Sequence, residues 1–471
     1  MRAMPPPIFD FLALALPWGL SFDRYYPYPG VAEEEGWITD DGSAWGVVLC
    51  SPTDQAFGAL VVRRRQDDSY TITCEQSGYE TFATAKETVL LQMKEGQPLE
   101  PLPNGVSRRP KLFGSAGKKR SKLFMLLTTP SRHRAAWVLR HLYLCLPKPD
   151  AHFAQQFQGE HIHTRMWELL LFACFKEQGC FVSQNYPSPD FHLKRRSGLS
   201  AWVEAVTTNP PNEARYEHVN APLARIPAEP QERCMGAAAV RFAKTLKSKI
   251  DRQYHRYEHV KDEPFAIAIA DFQAAGSMRW TREALITYLY GVYATEQVVN
   301  GVAVAVGIPV DRLLGEQEIP AGLFRNPLNS GISAIIFSNA CTIAKFSRVI
   351  ATKTRDEAGF ARTRIGQFFD RTPGALRAVP FSLNVNSDEY RNLWPQQYEP
   401  WSAELEIFHN PLAERPISRE MLPEAQHWVE KEGEMIAQAF YETSILWSET
   451  LVEDLSTKRD PDEAGGHDPR V

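Results

Sequence analysis

Three short, nearly uninterrupted apolar runs constrain this chain more than any other feature: Ala201 to Thr207, Phe265 to Ala270 and Ile332 to Phe337. Each is the length of a strand rather than a helix, and each is too apolar to have a wet face, so each predicts a buried strand. Helical periodicity surrounds them, over 132–146, 164–178, 236–257 and 281–288. A strand-like run from Phe181 to Leu193, broken by polar residues, completes the order α-β-β-α-β-α-β. That order predicts an α/β fold with a mixed central sheet flanked by helices.

The remaining sequence divides around this core. Residues 1–105 predict an N-terminal α+β domain. In it Trp45 to Cys50, Ala59 to Arg64 and Tyr70 to Cys74 form a meander, with turns at 51–54 and 66–68, and a helix follows over 81–94. Residues 106–130 form a basic linker. Between Ser107 and Lys122 it holds Arg108, Arg109, Lys111, Lys118, Lys119, Arg120 and Lys122 and no acid. It reads either as a solvated connection or as a mobile arm that neutralises phosphates. The core spans 131–350. Residues 351–448, with several prolines, predict a helical or irregular accessory region. Residues 449–471 carry Glu449, Glu453, Asp454, Asp460, Asp462, Glu463 and Asp468 and predict an acidic disordered tail.

Composition narrows the function classes. The net charge of −5 over 471 residues excludes a uniformly basic nucleic-acid coat, although the basic segment shows that positive charge is concentrated locally. Seven scattered cysteines with no C-x-x-C pair support neither a zinc ribbon nor a disulfide framework. The apolar stretch Phe11 to Leu16 ends at Pro17 and is too short for a membrane span or a signal peptide. A cytoplasmic protein with no membrane partner is expected. No glycine-rich phosphate loop and no G-x-S-x-G elbow occurs. His161-x-His163 lacks a placed third ligand and reads as surface histidines. Lys345 and Arg348 read as a solvated helix end, with a phosphate contact as the alternative.

The chemistry is expected at three fragments. Trp167-Glu168-Leu169 lies on a predicted helix, Pro189-Asp190-Phe191 at the end of the first core strand, and Trp202-Val203-Glu204-Ala205-Val206 inside the second. A hairpin turning at Ser197-Gly198 would bring Asp190 and Glu204 to one sheet edge. An acid inside so apolar a strand needs a partner. Two carboxylates placed together repel, which raises a pKa or calls for a cation. Mg²⁺ or Mn²⁺ would meet both needs and would support phosphodiester hydrolysis.

In this order and spacing, the fragments resemble the PD-(D/E)xK, or restriction-endonuclease-like, nuclease superfamily. More narrowly they resemble uncharacterised bacterial proteins with the same Trp-Glu-Leu, Pro-Asp-Phe and Val-Glu-Ala series. The resemblance covers residues 160–350. It implies a metal-dependent nuclease acting on nucleic acid, DNA preferred, with Asp190, Glu204, the Ala205 carbonyl and Glu168 as metal ligands or their supports. The family's lysine, two positions after the second acid, is replaced here by Val206. In relatives a lysine on the following helix takes over. Lys249 best matches that position and Lys247 is second. The departure leaves a rival expectation, a catalytically inactive nuclease-fold module that binds nucleic acid or protein.

Overall fold

The computed structural model describes residues 1–18, 36–50, 56–114, 119–209, 222–299, 302–315, 318–354, 359–370, 378–431 and 434–455. The turn expected at 51–54, Lys118 and residues 456–471 of the expected tail lie outside them.

The N-terminal part contains β1 (Arg2–Ala3), α1 (Pro6–Leu12), β2 (Gly36–Ile38), β3 (Ala44–Cys50), β4 (Phe57–Arg64), β5 (Tyr70–Tyr79) and α2 (Phe82–Met93). The strands form an antiparallel five-stranded sheet in sequential order, the expected meander. Alternation along its strands gives two apolar faces. Val48, Ala59 and Val61 pack on Val89 and Met93 of α2. Trp45, Val47, Leu60 and Val62 instead join the main core. Residues 4–16 also belong to that core, with Phe9, Phe11, Leu12 and Leu14 all buried, so the N-terminal unit is sewn into the body rather than tethered to it.

The body begins with α3 (Lys122–Leu127), α4 (His133–Cys145), α5 (Phe153–Gln158) and α6 (Ile162–Glu177). It continues through β6 (Phe181–Ser183), β7 (Phe191–Lys194), β8 (Ser200–Thr208), α7 (Pro230–Met235), α8 (Ala237–Ile250) and β9 (Phe265–Asp271). After these come α9 (Arg282–Tyr290), β10 (Val292–Val299), β11 (Val302–Pro309), β12 (Ala334–Ser338) and α10 (Ile343–Thr354). The C-terminal part adds β13 (Phe360–Phe368), β14 (Val379–Asn384), α11 (Asp388–Arg391), β15 (Glu406–His409), β16 (Gln426–Lys431), β17 (Glu434–Gln438) and β18 (Ile445–Asp454).

Eight strands make the central sheet, in the order β17-β16-β15-β12-β9-β8-β7-β6. The pairs β8–β9, β9–β12 and β15–β16 are parallel and the rest antiparallel, so the sheet is mixed, as expected. The three apolar runs are its centre. In β9 the alternation is small against large: Ala266, Ala268 and Ala270 face the side that carries α4, α6 and α10, and Ile267 and Ile269 face α8 and α9. The alanines leave room for Trp167, whose indole N–H donates to the Ala268 carbonyl at 3.1 Å. Burying each isoleucine contributes about 1.5–3 kcal/mol. Helix α6 is buried on every side from Met166 to Lys176, as a helix between a sheet and two other layers must be.

The structure corrects several expectations. The run 181–193 is two strands, β6 and β7, because the polar segment 184–190 loops out between them; Asp190 therefore precedes the second strand instead of ending the first. The helix expected to reach Tyr257 stops at Ile250, where the chain reverses with Gln253 at φ +53°. The β10–β11 hairpin was not expected. The accessory region is not helical: β15 to β17 extend the central sheet, and β14-β13-β18 form a separate three-stranded sheet. Glu449, Glu453 and Asp454 lie in β18, where cross-strand pairing with β13 orders a segment that its charge alone would leave disordered. No helix among the described residues is long and apolar enough to cross a membrane.

Candidate active site

The site is built where β7 gives way to its preceding loop. In the β7–β8 hairpin, Phe191 is level with Val203, and Gly198 makes the turn at φ +90°. One residue before β7, Asp190 reaches across to β8 and its Oδ2 accepts the Ala205 backbone N–H at 2.7 Å. The carboxylate thus replaces the strand acceptor that β7 no longer supplies. The N–H and C=O of an extended residue point to the same side, so the Ala205 carbonyl also faces the end of β7.

Glu204 points to the opposite face from Val203 and Ala205, the face of α8. Its Oε1 accepts from the Lys249 ammonium at 2.6 Å and from the Tyr254 hydroxyl at 2.8 Å. Arg252 in turn donates to the Tyr254 oxygen at 3.0 Å. The reversal after Ile250 is what carries Tyr254 back to the strand. The second oxygen, Oε2, is buried and takes no hydrogen bond. A buried, unused carboxylate oxygen is costly and calls for a positive partner.

Glu168, on α6, is also buried, and Nη1 of Arg165 donates to both of its oxygens at 2.9 and 2.7 Å. Burial, together with the charges of Glu204 and Glu168, pushes the Asp190 carboxyl well above the usual range, against the Ala205 N–H and Lys249. Burial likewise pushes Glu168 up, opposed by Arg165 and reinforced by Asp150 and Glu204. The local charge is too negative for its surroundings, the condition a cation relieves.

Asp190, Glu204, Glu168 and Lys249 line one cleft of roughly 1070 Å³, together with Arg108, Lys148, Arg165 and Tyr186. Among the described residues no group of three or more His, Cys, Asp and Glu is placed to hold a metal ion. The donors on offer are the free oxygens of Asp190 and Glu204 and the Ala205 carbonyl. These are hard oxygen donors, few in number, and they suit an ion such as Mg²⁺ that keeps several waters.

No protein-family model, curated protein or solved structure matches this chain. What the site does is therefore read from its own geometry.

The structure brings Asp190, Glu204, Glu168 and Lys249 together, and Val206 is buried where no basic residue stands. Lys247 is excluded from this group: it is 72% exposed and pairs with Asp251 at 2.8 Å. Two arginines of the basic segment are tied to the body by backbone carbonyls. Arg108 donates to the Gln66 carbonyl, and Arg109 donates to the carbonyls of Tyr143, Leu144 and Leu146, closing the end of α4. His161 lines the cleft, and the buried His163 stacks on Phe272 with ring centroids 4.3 Å apart. Lys345 and Arg348 are not solvated. Both are buried against Glu399, with Lys345 also on Glu404, so they touch no ligand surface. Sequence reasoning missed Arg165, Tyr254 and Tyr186. The spacing of Arg165 and Glu168, three apart on one helix, was a readable signal; Tyr254 had none, because only the unforeseen reversal places it.

Proposed function

We propose that the protein is a metal-dependent nuclease that hydrolyses phosphodiester bonds, DNA preferred, on a restriction-endonuclease-like core. The observation that carries this reading is Glu204: one oxygen is held by Lys249 and Tyr254, while the other is buried without a partner beside Asp190. The succession α6-β6-β7-β8-α7-α8-β9, with β8 parallel to β9, supports the family resemblance.

In this reading Asp190, Glu204 and the Ala205 carbonyl hold Mg²⁺ or Mn²⁺. When bound, such an ion lowers the pKa of an attacking water and offsets phosphate charge. Lys249, fixed on Glu204, keeps that carboxylate oriented and presents positive charge where the phosphate gains negative charge in the transition state. Glu168, with both oxygens on Arg165, acts as an outer acceptor rather than an ion ligand. Arg108 and Lys148, exposed on the cleft wall, meet the substrate backbone.

The test is cleavage of plasmid, linear and single-stranded DNA and of RNA with Mg²⁺ or Mn²⁺. Activity that disappears in Asp190→Ala and Glu204→Ala is expected; protein inert on all four substrates overturns the reading. One observation favours the rival, a non-catalytic binding module: Lys249 and Arg165 already neutralise Glu204 and Glu168 from within. Calorimetric titration with Mn²⁺ separates the two. The nuclease reading expects binding that is lost in Glu204→Gln, and the module reading expects none.

A further inference from the structure

The loop that delivers Asp190 also carries an exposed aromatic ring. Tyr186 is 47% exposed and lines the cleft with Asp190, Glu204 and Lys249. One face of the ring is covered by His259, whose centroid lies 3.9 Å away with the planes 2° apart. The His259 ring is held in turn by its Nε2–H, which donates to the Ser188 carbonyl at 3.0 Å, and by an edge contact with Trp202. Trp202 is stacked on His192 at 4.1 Å, and His192 is fixed to Glu263 at 2.7 Å. Tyr186 is thus the top of a braced pile of rings on the wall of the cleft.

We infer that Tyr186 is a stacking platform for an unpaired nucleobase, and that the cleft takes single-stranded or locally opened nucleic acid. A base inside a duplex has both faces covered by its neighbours, so only an unpaired or extruded base can lie on a protein ring. The ring is ordered before binding, so little conformational freedom is lost when a base lands on it. Tyr186 is four positions from Asp190, at most ~14 Å of chain. The stacked base therefore belongs to the nucleotide cleaved or one close to it. The exposed Arg108 and Lys148 of the same cleft supply the backbone contacts that a strand also needs.

This inference rests on the nucleic-acid reading of the cleft. The test uses the full chain in EDTA, so that binding is read without cleavage. Fluorescence anisotropy compares a labelled 12-nucleotide single strand with the blunt duplex of the same sequence. The single strand should bind more tightly. Tyr186→Ala should lose roughly 5- to 150-fold in single-strand affinity, with duplex binding unchanged. Tyr186→Phe should retain affinity, and a 2-aminopurine in the strand should be quenched by wild type and Tyr186→Phe but not by Tyr186→Ala. Thermal melts confirm that the variants fold. Single-strand binding that is absent in wild type, unchanged in Tyr186→Ala, or lost equally for both ligands overturns the inference. Cleavage that depends on Asp190 while Tyr186→Ala binds normally removes this inference alone. Tyr186-dependent binding without metal-dependent cleavage removes the hydrolase reading alone.

Discussion

At the scale of single residues, the two oxygens of Glu204 differ: Oε1 takes Lys249 and Tyr254 while Oε2 takes no hydrogen bond, and on the proposed reading the groups on Oε1 orient Oε2. Tyr254→Phe removes one of the two hydrogen bonds to Oε1 while keeping the ring in its apolar setting. A hydrogen bond to a charged group contributes about 1.5–3 kcal/mol. On the proposed nuclease reading, turnover is therefore expected to fall by up to about 10- to 150-fold with KM for the nucleic acid little changed, and the thermal melt to drop as the buried bond is lost. Lys249→Ala should lower cleavage by about 100-fold or more. Lys247→Ala, altering an exposed pair with Asp251, should leave cleavage at the wild-type rate. Kinetics on the three variants check these values. Glu204 was legible in the sequence because an acid in an apolar strand advertises its need for a partner, and Asp190 through its Pro-Asp-Phe fragment and the hairpin spacing that sets it against Glu204. Lys249 came through resemblance rather than through physics, since nothing in its local composition sets it apart from Lys247. Tyr254 was invisible for a concrete reason: its role depends on the chain turning at Gln253, and helical periodicity ran straight through that point.

Among the elements, α4 shows how the N-terminal unit is locked to the core. His141 is buried, its Nε2 faces the Phe11 carbonyl at 3.0 Å and its Nδ1 lies 2.8 Å from the Tyr70 hydroxyl. A carbonyl only accepts, so Nε2 carries the proton and Nδ1 accepts from Tyr70; the ring is neutral with each nitrogen used. Burial pushes its pKa down from 6.5 to about 3. In His409 and His427, burial and the neighbouring imidazole or Arg419 have the same effect, lowering each to about 4. A histidine depressed by folding contributes stability that is present above its unfolded pKa and is lost as pH falls toward the folded value. Melting temperature should therefore decline between about pH 6.5 and pH 4. In His141→Gln that slope should be shallower, because one group fewer takes up a proton on unfolding. A pH series of thermal melts reads both slopes. The elements themselves were largely legible where one face or two were cleanly apolar: β8, β9, β12, α4 and α6 fall within a few residues of expectation. The strands after residue 355 were not, because β13 to β18 owe their form to partners distant in sequence and carry mixed, partly exposed patterns.

The whole molecule is closed by charges that the sequence presented as solvated. Lys345 and Arg348 of α10, with Arg364 of β13, surround Glu399 and Glu404, and Tyr390 donates to Glu399 at 2.7 Å. Burial works against the charge on Glu399, yet Arg348, Lys345 and Arg364 hold its carboxyl well below the usual range. Removing one member of such a network leaves buried charge unmatched, at a cost of about 3–5 kcal/mol. Glu399→Gln and Glu404→Gln are each expected to lower unfolding free energy by that amount in urea titrations, without altering any residue of the cleft. The partners of Lys345 and Arg348 lie more than fifty positions downstream, so no local reading could have found them. The same distance orders events on the ribosome. While residues 343–354 are already made and 399–404 are not, α10 carries two unmatched cations on the face that must later be sealed, and water is their best environment. In the finished fold the acids lie just ahead of β15, so the segment that matches the two cations leads directly into the strand that extends the central sheet.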